Sequence, residues 1–268
     1  MNPIRLAFIG GGNMAGAIFG GLLWGGWPAE SITVVEPWDE QRQRIAAARP
    51  GVRLLAQADA SLRDADMVVW AVKPQIFADA AAACTGHVGA AVQLSVMAGV
   101  HSDAIARASG SERVVRAMPN TPALIGKGIA GLFARTAATA DDCAAVERVL
   151  APTGNLLWFS VEADLDAVTA LSGSGPAYVF YLLEAMVEAG TQMGLPIEAA
   201  RRLAQETIAG AAQLAMQSSE SPATLRERVT SKGGTTHAAI TSLNDSDVKA
   251  AFVRALLAAR DRAEELGQ

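Results

Sequence analysis

The chain has 268 residues, 51% of them hydrophobic and 18% charged, which is ample material for a sizeable core and excludes a disordered chain. With 22 basic and 27 acidic side chains the formal charge is −5, so a polyanion such as nucleic acid is not an expected partner. Two cysteines, Cys84 and Cys143, and three scattered histidines exclude a disulfide scaffold and offer no metal-ligand spacing, so no metal is expected.

The opening Met1-Asn2-Pro3-Ile4-Arg5 leads into a short apolar run broken by glycines. It reads as neither a signal peptide nor a membrane span of about 20 apolar residues, and a cytoplasmic protein without a membrane partner is expected. In chain order, β-rich runs fall at residues 6–9, 32–35, 67–72, 92–97, 114–118, 131–134 and 156–159. Several are continuously apolar, as strands buried on both faces of a parallel sheet should be. Helical patterns at 14–23 and 39–48 lie between the early ones, so the first half is predicted to be a doubly wound α/β sheet. From about residue 160 the pattern turns to Ala, Leu, Glu and Arg at helical spacing, broken at 172–176, 194–196, 218–222 and 232–234. Pro176, Pro196 and Pro222 suit the first turns of new helices, and about five helices are expected. The predicted division is 1–160 and 161–268. Helices this rich in Ala, in a half too small to cover them, point to a subunit interface.

Directly after the first strand stands Gly10-Gly11-Gly12-Asn13-Met14-Ala15, a G-x-G-x-x-A pattern opening a helix. Gly10 permits the tight turn, Gly12 lets the backbone approach a pyrophosphate, and Ala15 lets the helix pack closely on the strand. The second strand ends in an acid, Glu36, which in this setting accepts hydrogen bonds from ribose hydroxyls and repels a 2′-phosphate. Arg42 and Arg44, one helical turn on, are candidate partners for such a phosphate. Ala71-Val72-Lys73-Pro74, Ala98-Gly99-Val100 and Pro119-Asn120-Thr121-Pro122 follow later strands, where loops face the ligand crevice. Lys73 is placed to meet a phosphate or ribose, and Asn120 and Thr121 the nicotinamide end; each loop is equally readable as a simple turn.

The helical half holds two stretches of small and hydroxyl-bearing residues, Leu171-Ser172-Gly173-Ser174-Gly175-Pro176 and Val229-Thr230-Ser231-Lys232-Gly233-Gly234-Thr235-Thr236. Each reads as a loop ahead of a helix N-terminus, a suitable nest for a small carboxylate. No His/Asp, Cys/His or Lys-based acid–base set accompanies them; His87 and His101 read as solvated and His237 as first-turn. Oxidising an alcohol wants a positioned base, whereas an imine nitrogen arrives protonated and needs chiefly a well-placed hydride donor.

Together these residues resemble the pyrroline-5-carboxylate reductase family over nearly the whole chain. The most specific stretches are Asp164-Leu165-Asp166-Ala167-Val168-Thr169-Ala170-Leu171-Ser172-Gly173-Ser174-Gly175-Pro176-Ala177-Tyr178 and Val229-Thr230-Ser231-Lys232-Gly233-Gly234-Thr235-Thr236-His237-Ala238. The resemblance implies hydride transfer from NAD(P)H to the C=N carbon of 1-pyrroline-5-carboxylate, giving L-proline; Glu36 read alone points to NADH and the family habit to NADPH, so NADPH is expected with NADH also competent. It implies a Rossmann domain followed by a helical domain that pairs two subunits, in dimers that can assemble into a decamer, with one subunit's cofactor used beside its partner's helices. It places the substrate carboxylate on amides around Ser231, Gly233, Gly234 and Thr235, with Ser174 and Thr230 nearby, and Thr236 as the hydroxyl nearest the ring nitrogen. Two departures stand out: Ala58, where Asn is common on the adenosine side, and Glu36-Pro37-Trp38, where Asn-Arg or Ser is common. A β-hydroxyacid dehydrogenase shares the two-part plan but wants a lysine after its glycine loop, where this chain has Pro176, Ala177 and Tyr178. A dinucleotide-sensing module would keep the first loop and have no need of 230–236.

Overall fold

The computed structural model describes residues 4–267; Met1, Asn2 and Pro3 of the opening segment, and Gln268, lie outside the described residues. The chain forms two compact units, one running to Ser174 and including the last segment from Ala259, the other Gly175–Ala258.

The first unit carries one sheet with strands β1 (Leu6–Ile9), β2 (Ile32–Val35), β3 (Arg53–Leu55), β4 (Met67–Trp70), β5 (Val92–Ser95), β6 (Val114–Met118), β7 (Gly128–Ala134) and β8 (Gly154–Trp158). Their order is β3-β2-β1-β4-β5-β6-β7-β8, which reverses direction at β1, the switch point of a doubly wound sheet. Helices α1 (Asn13–Trp24), α2 (Asp39–Ala48), α3 (Phe77–Ala83), α4 (Ser102–Ser109) and α5 (Ala140–Leu150) join them. Side chains alternate between two cores: Leu6 and Phe8 pack with Ile18, Phe19 and Leu150, while Ala7 and Ile9 pack with Trp70, Phe77 and Ile105. Both faces are buried, which is why the strands are apolar without alternation.

Three features depart from the sequence expectation. β3 was not legible, because it is three residues long and its leucines are only half-buried. The runs at 67–72 and 92–97 leave the ladder at Trp70 and Ser95, so their last residues belong to the crevice-side loops. β7 pairs antiparallel with β6, because the connection from Met118 to Gly128 is too short for the dozen or more residues of a parallel crossover.

After β8 come α6 (Asp164–Val168) and, with no break, a π turn over Thr169–Gly173. Ser172 and Gly173 of the expected loop are therefore helical, and the break before α7 shrinks to a bend at Ser174. The hydroxyls of Thr169 and Ser172 donate back to the Leu165 and Val168 carbonyls, which lets the backbone continue through residues chosen for loop-like composition.

The second unit is helical, with α7 (Gly175–Gln192), α8 (Ile197–Gln217), α9 (Pro222–Arg228), α10 (Thr235–Asp245) and α11 (Val248–Gly267), whose last residues count with the first unit. Pro222 opens α9, Pro176 lies in the first turn of α7, and Pro196 sits just before α8. Among the described residues these helices bury almost nothing within one chain: Gly190 on α7, Ala200 and Ala204 on α8, Ala263 on α11, and no residue of α9 or α10.

Candidate active site

The glycine loop leaves β1 and enters α1 without a side-chain cap. Gly10 has φ +98° and its N–H donates to the Val35 carbonyl at 2.9 Å. A Cβ there would stand 2.7 Å from the Ala71 carbonyl oxygen, so strand and loop meet too closely for any side chain. A Cβ on Gly12 would meet nothing within 4 Å, because that position faces open space. Ala15, in the first turn of α1, is fully buried, and the first helical bond runs from the Gly16 N–H to the Gly12 carbonyl at 2.8 Å. The amides of Asn13, Met14 and Ala15 therefore precede the helical ladder, at the positive end of the helix dipole. An open approach over Gly12 and amides free of helical acceptors fit the pyrophosphate of a dinucleotide.

Glu36 lies beside this loop and is only 9% exposed. One carboxylate oxygen accepts the Gly11 N–H and the other the Trp38 N–H, both at 3.0 Å. Gln41, which the sequence did not single out, donates to the Gly11 carbonyl at 2.7 Å. Arg42 is clamped onto the Glu36 and Pro37 carbonyls at 2.8 and 2.7 Å and paired with Asp39, so it is spent on the backbone and not held out for a phosphate. Arg44 is exposed on α2 and pairs with Glu40 at 3.2 Å.

The other crevice-side residues fall at strand ends. Ala71 and Val72 are half-buried beyond β4, with exposed Lys73 and Pro74 opening a short 3₁₀ turn. Ala98 is half-buried beyond β5, beside Gly99, whose backbone approaches the Leu266 carbonyl near the end of α11. The Asn120 side chain donates to the Ser172 carbonyl and accepts from the Ile129 N–H, both at 3.1 Å, tying the end of β6 to β7 and the π turn. Thr121 is exposed at the start of the next 3₁₀ turn.

A buried ion pair that sequence reading missed sits under α4. Arg116 is 4% exposed on β6 and donates to Glu162 at 2.7 Å, and the same carboxylate accepts the Ser102 N–H at 2.7 Å and its hydroxyl at 2.5 Å. Burial opposes ionisation of Glu162, but the Ser102 donors and Arg116 outweigh it and hold the carboxyl below its ordinary value. Lone charges at distant sequence positions carry no local signal, so only the fold pairs them. Burial pushes the Cys84 thiol up to about 11, which makes it inert at neutral pH.

In the second unit, α9 ends with the Thr230 hydroxyl donating to the Arg226 carbonyl at 2.6 Å. The chain turns through Ser231, Lys232 and Gly233, with φ +76° at Gly233, and the Gly234 N–H donates to the Ser231 carbonyl at 3.0 Å. A Cβ on Gly234 would lie 2.7 Å from the Ser231 hydroxyl oxygen. Gly234 caps α10, whose first bond is Ala238 N–H to Gly234 carbonyl at 3.1 Å, so the amides of Thr235, Thr236 and His237 precede the ladder. This is the nest geometry expected of the loop. The segment before α7 differs, since the Ser174 N–H is already donated to the Thr169 carbonyl at 2.8 Å. Among the described residues no group of three or more His, Cys, Asp or Glu side chains is placed to hold a metal, and no helix is long and apolar enough to cross a membrane.

Residues 162–266 match the family described as pyrroline-5-carboxylate reductase dimerisation, and residues 5–99 match the family described as NADP oxidoreductase coenzyme F420-dependent. The chain is 43% identical to pyrroline-5-carboxylate reductase of Pseudomonas aeruginosa, over 100% of this chain and 98% of that protein. It is 34% identical to the Arabidopsis thaliana enzyme of the same name, over 98% and 96%. The solved pyrroline-5-carboxylate reductase of Coxiella burnetii superposes with a TM-score of 0.90 at 36% identity, covering 100% of both chains. That of Plasmodium falciparum, solved with NADP bound, gives 0.89 at 26% identity, again covering 100% of both chains. With the glycine loop, the α10 nest and full-length similarity in agreement, the chain belongs to the pyrroline-5-carboxylate reductase family.

Proposed function

We infer that the chain reduces the C=N bond of 1-pyrroline-5-carboxylate to L-proline, the last step of proline biosynthesis, with NADPH as reductant and NADH also competent. The observation that carries this is the nest at α10, since a dinucleotide loop alone would serve many reactions. The nicotinamide, when bound, supplies the hydride that adds to the imine carbon. The chain's own work is positioning. Amides ahead of α1 take the pyrophosphate, with Gly10, Gly11, Gly12, Asn13, Met14 and Ala15 shaping that approach. Ala71, Val72, Lys73, Pro74, Ala98, Asn120 and Thr121 line the strand ends beside it. In the second unit the amides of Thr235 and Thr236 receive the substrate carboxylate in the turn shaped by Thr230, Ser231, Gly233 and Gly234, and Ser174 lies on the segment leading into α7. The Thr236 hydroxyl meets the ring nitrogen, which enters protonated and leaves as the ring amine, so no strong base is required.

The same reading assigns dinucleotide binding to 1–160 and substrate binding with dimerisation to 161–268, supported by a family match beginning at residue 162. It makes the chain a cytoplasmic homodimer, and by family resemblance dimers that can gather into a decamer. Absorbance of NADPH and of NADH, followed with and without the cyclic imine, tests the reaction. Imine-dependent oxidation is expected with both, and none with either would overturn the assignment.

A further inference from the structure

Two tryptophans of the first unit stand nearly bare, Trp38 at 74% and Trp24 at 95% exposure. They differ in place. Trp24 ends α1, at the far end from the glycine loop, whereas Trp38 lies just past the carboxyl end of β2. In a doubly wound sheet that side of β1 is where the adenosine half of a dinucleotide lies. The backbone at Trp38 is held on both sides: its N–H donates to Glu36 at 3.0 Å and its carbonyl accepts the Arg42 N–H at 3.0 Å. An aromatic side chain on so fixed a backbone needs little further ordering to bind a flat ring. The charges around it are compensated. Asp39 pairs with Arg42 and Glu40 with Arg44, while both Glu36 oxygens take backbone amides.

Resting on the nicotinamide-dependent reading above, we propose that Trp38 is a cofactor-binding residue whose indole stacks on the adenine. Adenine is common to NADPH and NADH, so energy drawn from its face favours neither.

Calorimetric titration of the full chain with NADPH, NADH and adenosine 2′,5′-bisphosphate tests this, alongside thermal unfolding of each free variant. Trp38→Leu is expected to weaken all three ligands by about tenfold, and Trp38→Phe, which keeps a ring, by no more than about threefold. Trp24→Leu serves as the control and is expected to bind as the unsubstituted chain does. Equal affinity in Trp38→Leu would overturn the proposal, and so would a loss for NADPH without a matching loss for the bisphosphate. Should Trp38→Leu fail to fold, Trp38→Ser and Trp38→Phe decide the matter, because a tenfold loss in the first with affinity kept in the second supports stacking, and equal affinity in both refutes it. An unsubstituted chain that binds no nicotinamide dinucleotide would overturn the reductase reading itself.

Discussion

Glu36 shows how one side chain changes meaning between sequence and structure. At the end of a second strand an acid reads as a ribose ligand; the structure adds that it is buried and braces Gly11 and Trp38 through their amides. Glu36→Gln would put a donor against an N–H and remove a charge-assisted bond, costing about 1–3 kcal/mol. We expect a lower melting temperature of the free chain and parallel losses in NADPH and NADH affinity, leaving their ratio within about threefold (less than 1 kcal/mol). A ratio shifted strongly towards NADPH in titrations would show that the carboxylate does face the ribose. Thr236 is the opposite case, a half-buried hydroxyl in the first turn of α10 for which we propose a role in the chemistry. Thr236→Ala should cost about tenfold in kcat/KM for the imine, the scale of one lost hydrogen bond, with the melting temperature unmoved. Unchanged kinetics in the folded variant would remove Thr236 from the mechanism.

Among the elements, β6, α4 and the segment leading to α6 are joined by one ion pair. Glu162→Gln would leave the Arg116 guanidinium buried without its counter-charge, a loss of about 3–5 kcal/mol measurable by urea unfolding at neutral pH. Acid should act in the same direction. Glu162 and Asp142 both ionise below their ordinary values of 4.5 and 3.8. For Glu162 the Ser102 donors and Arg116 overcome burial, and for Asp142 the Arg113 pair at 2.5 Å dominates. A depressed folded-state value means that the stabilisation is complete above those ordinary values and is lost as pH falls through the depressed ones. Unfolding midpoints should therefore be flat near neutrality and drop steeply below about pH 4, and Glu162→Gln should flatten part of that drop. An acid limb unchanged in the variant would count against the pair.

At the scale of the molecule, the second unit leaves much apolar surface bare within one chain. On α7 the residues Val179, Phe180, Tyr181 and Leu182 are all exposed, and Gly190 alone of that helix is buried. Bare apolar surface of this extent marks an interaction face, and the family description of this segment names dimerisation. Phe180→Glu should place a charge in that contact, shift sedimentation from dimer towards monomer and lower the melting temperature. A variant sedimenting as the unsubstituted chain would place the contact elsewhere.

The sequence by itself determined the two-part plan, since unbroken apolar runs report strands buried on both faces and helical spacing reports the second half. It also determined the glycine loop and the residue 229–236 nest, where backbone conformation demands glycine at Gly10 and Gly233 whatever surrounds them. These signals are local and survive without tertiary context. Only the tertiary structure decided the antiparallel β7, the π turn that carries the chain through 172 and 173, the tie of Asn120 to Ser172 and the burial of Glu36. Each depends on a hydrogen-bond partner distant in sequence or on the reach of a connection. Composition near residue 172 spoke for a loop, but backbone groups in a packed segment must find acceptors, and the π turn supplies them.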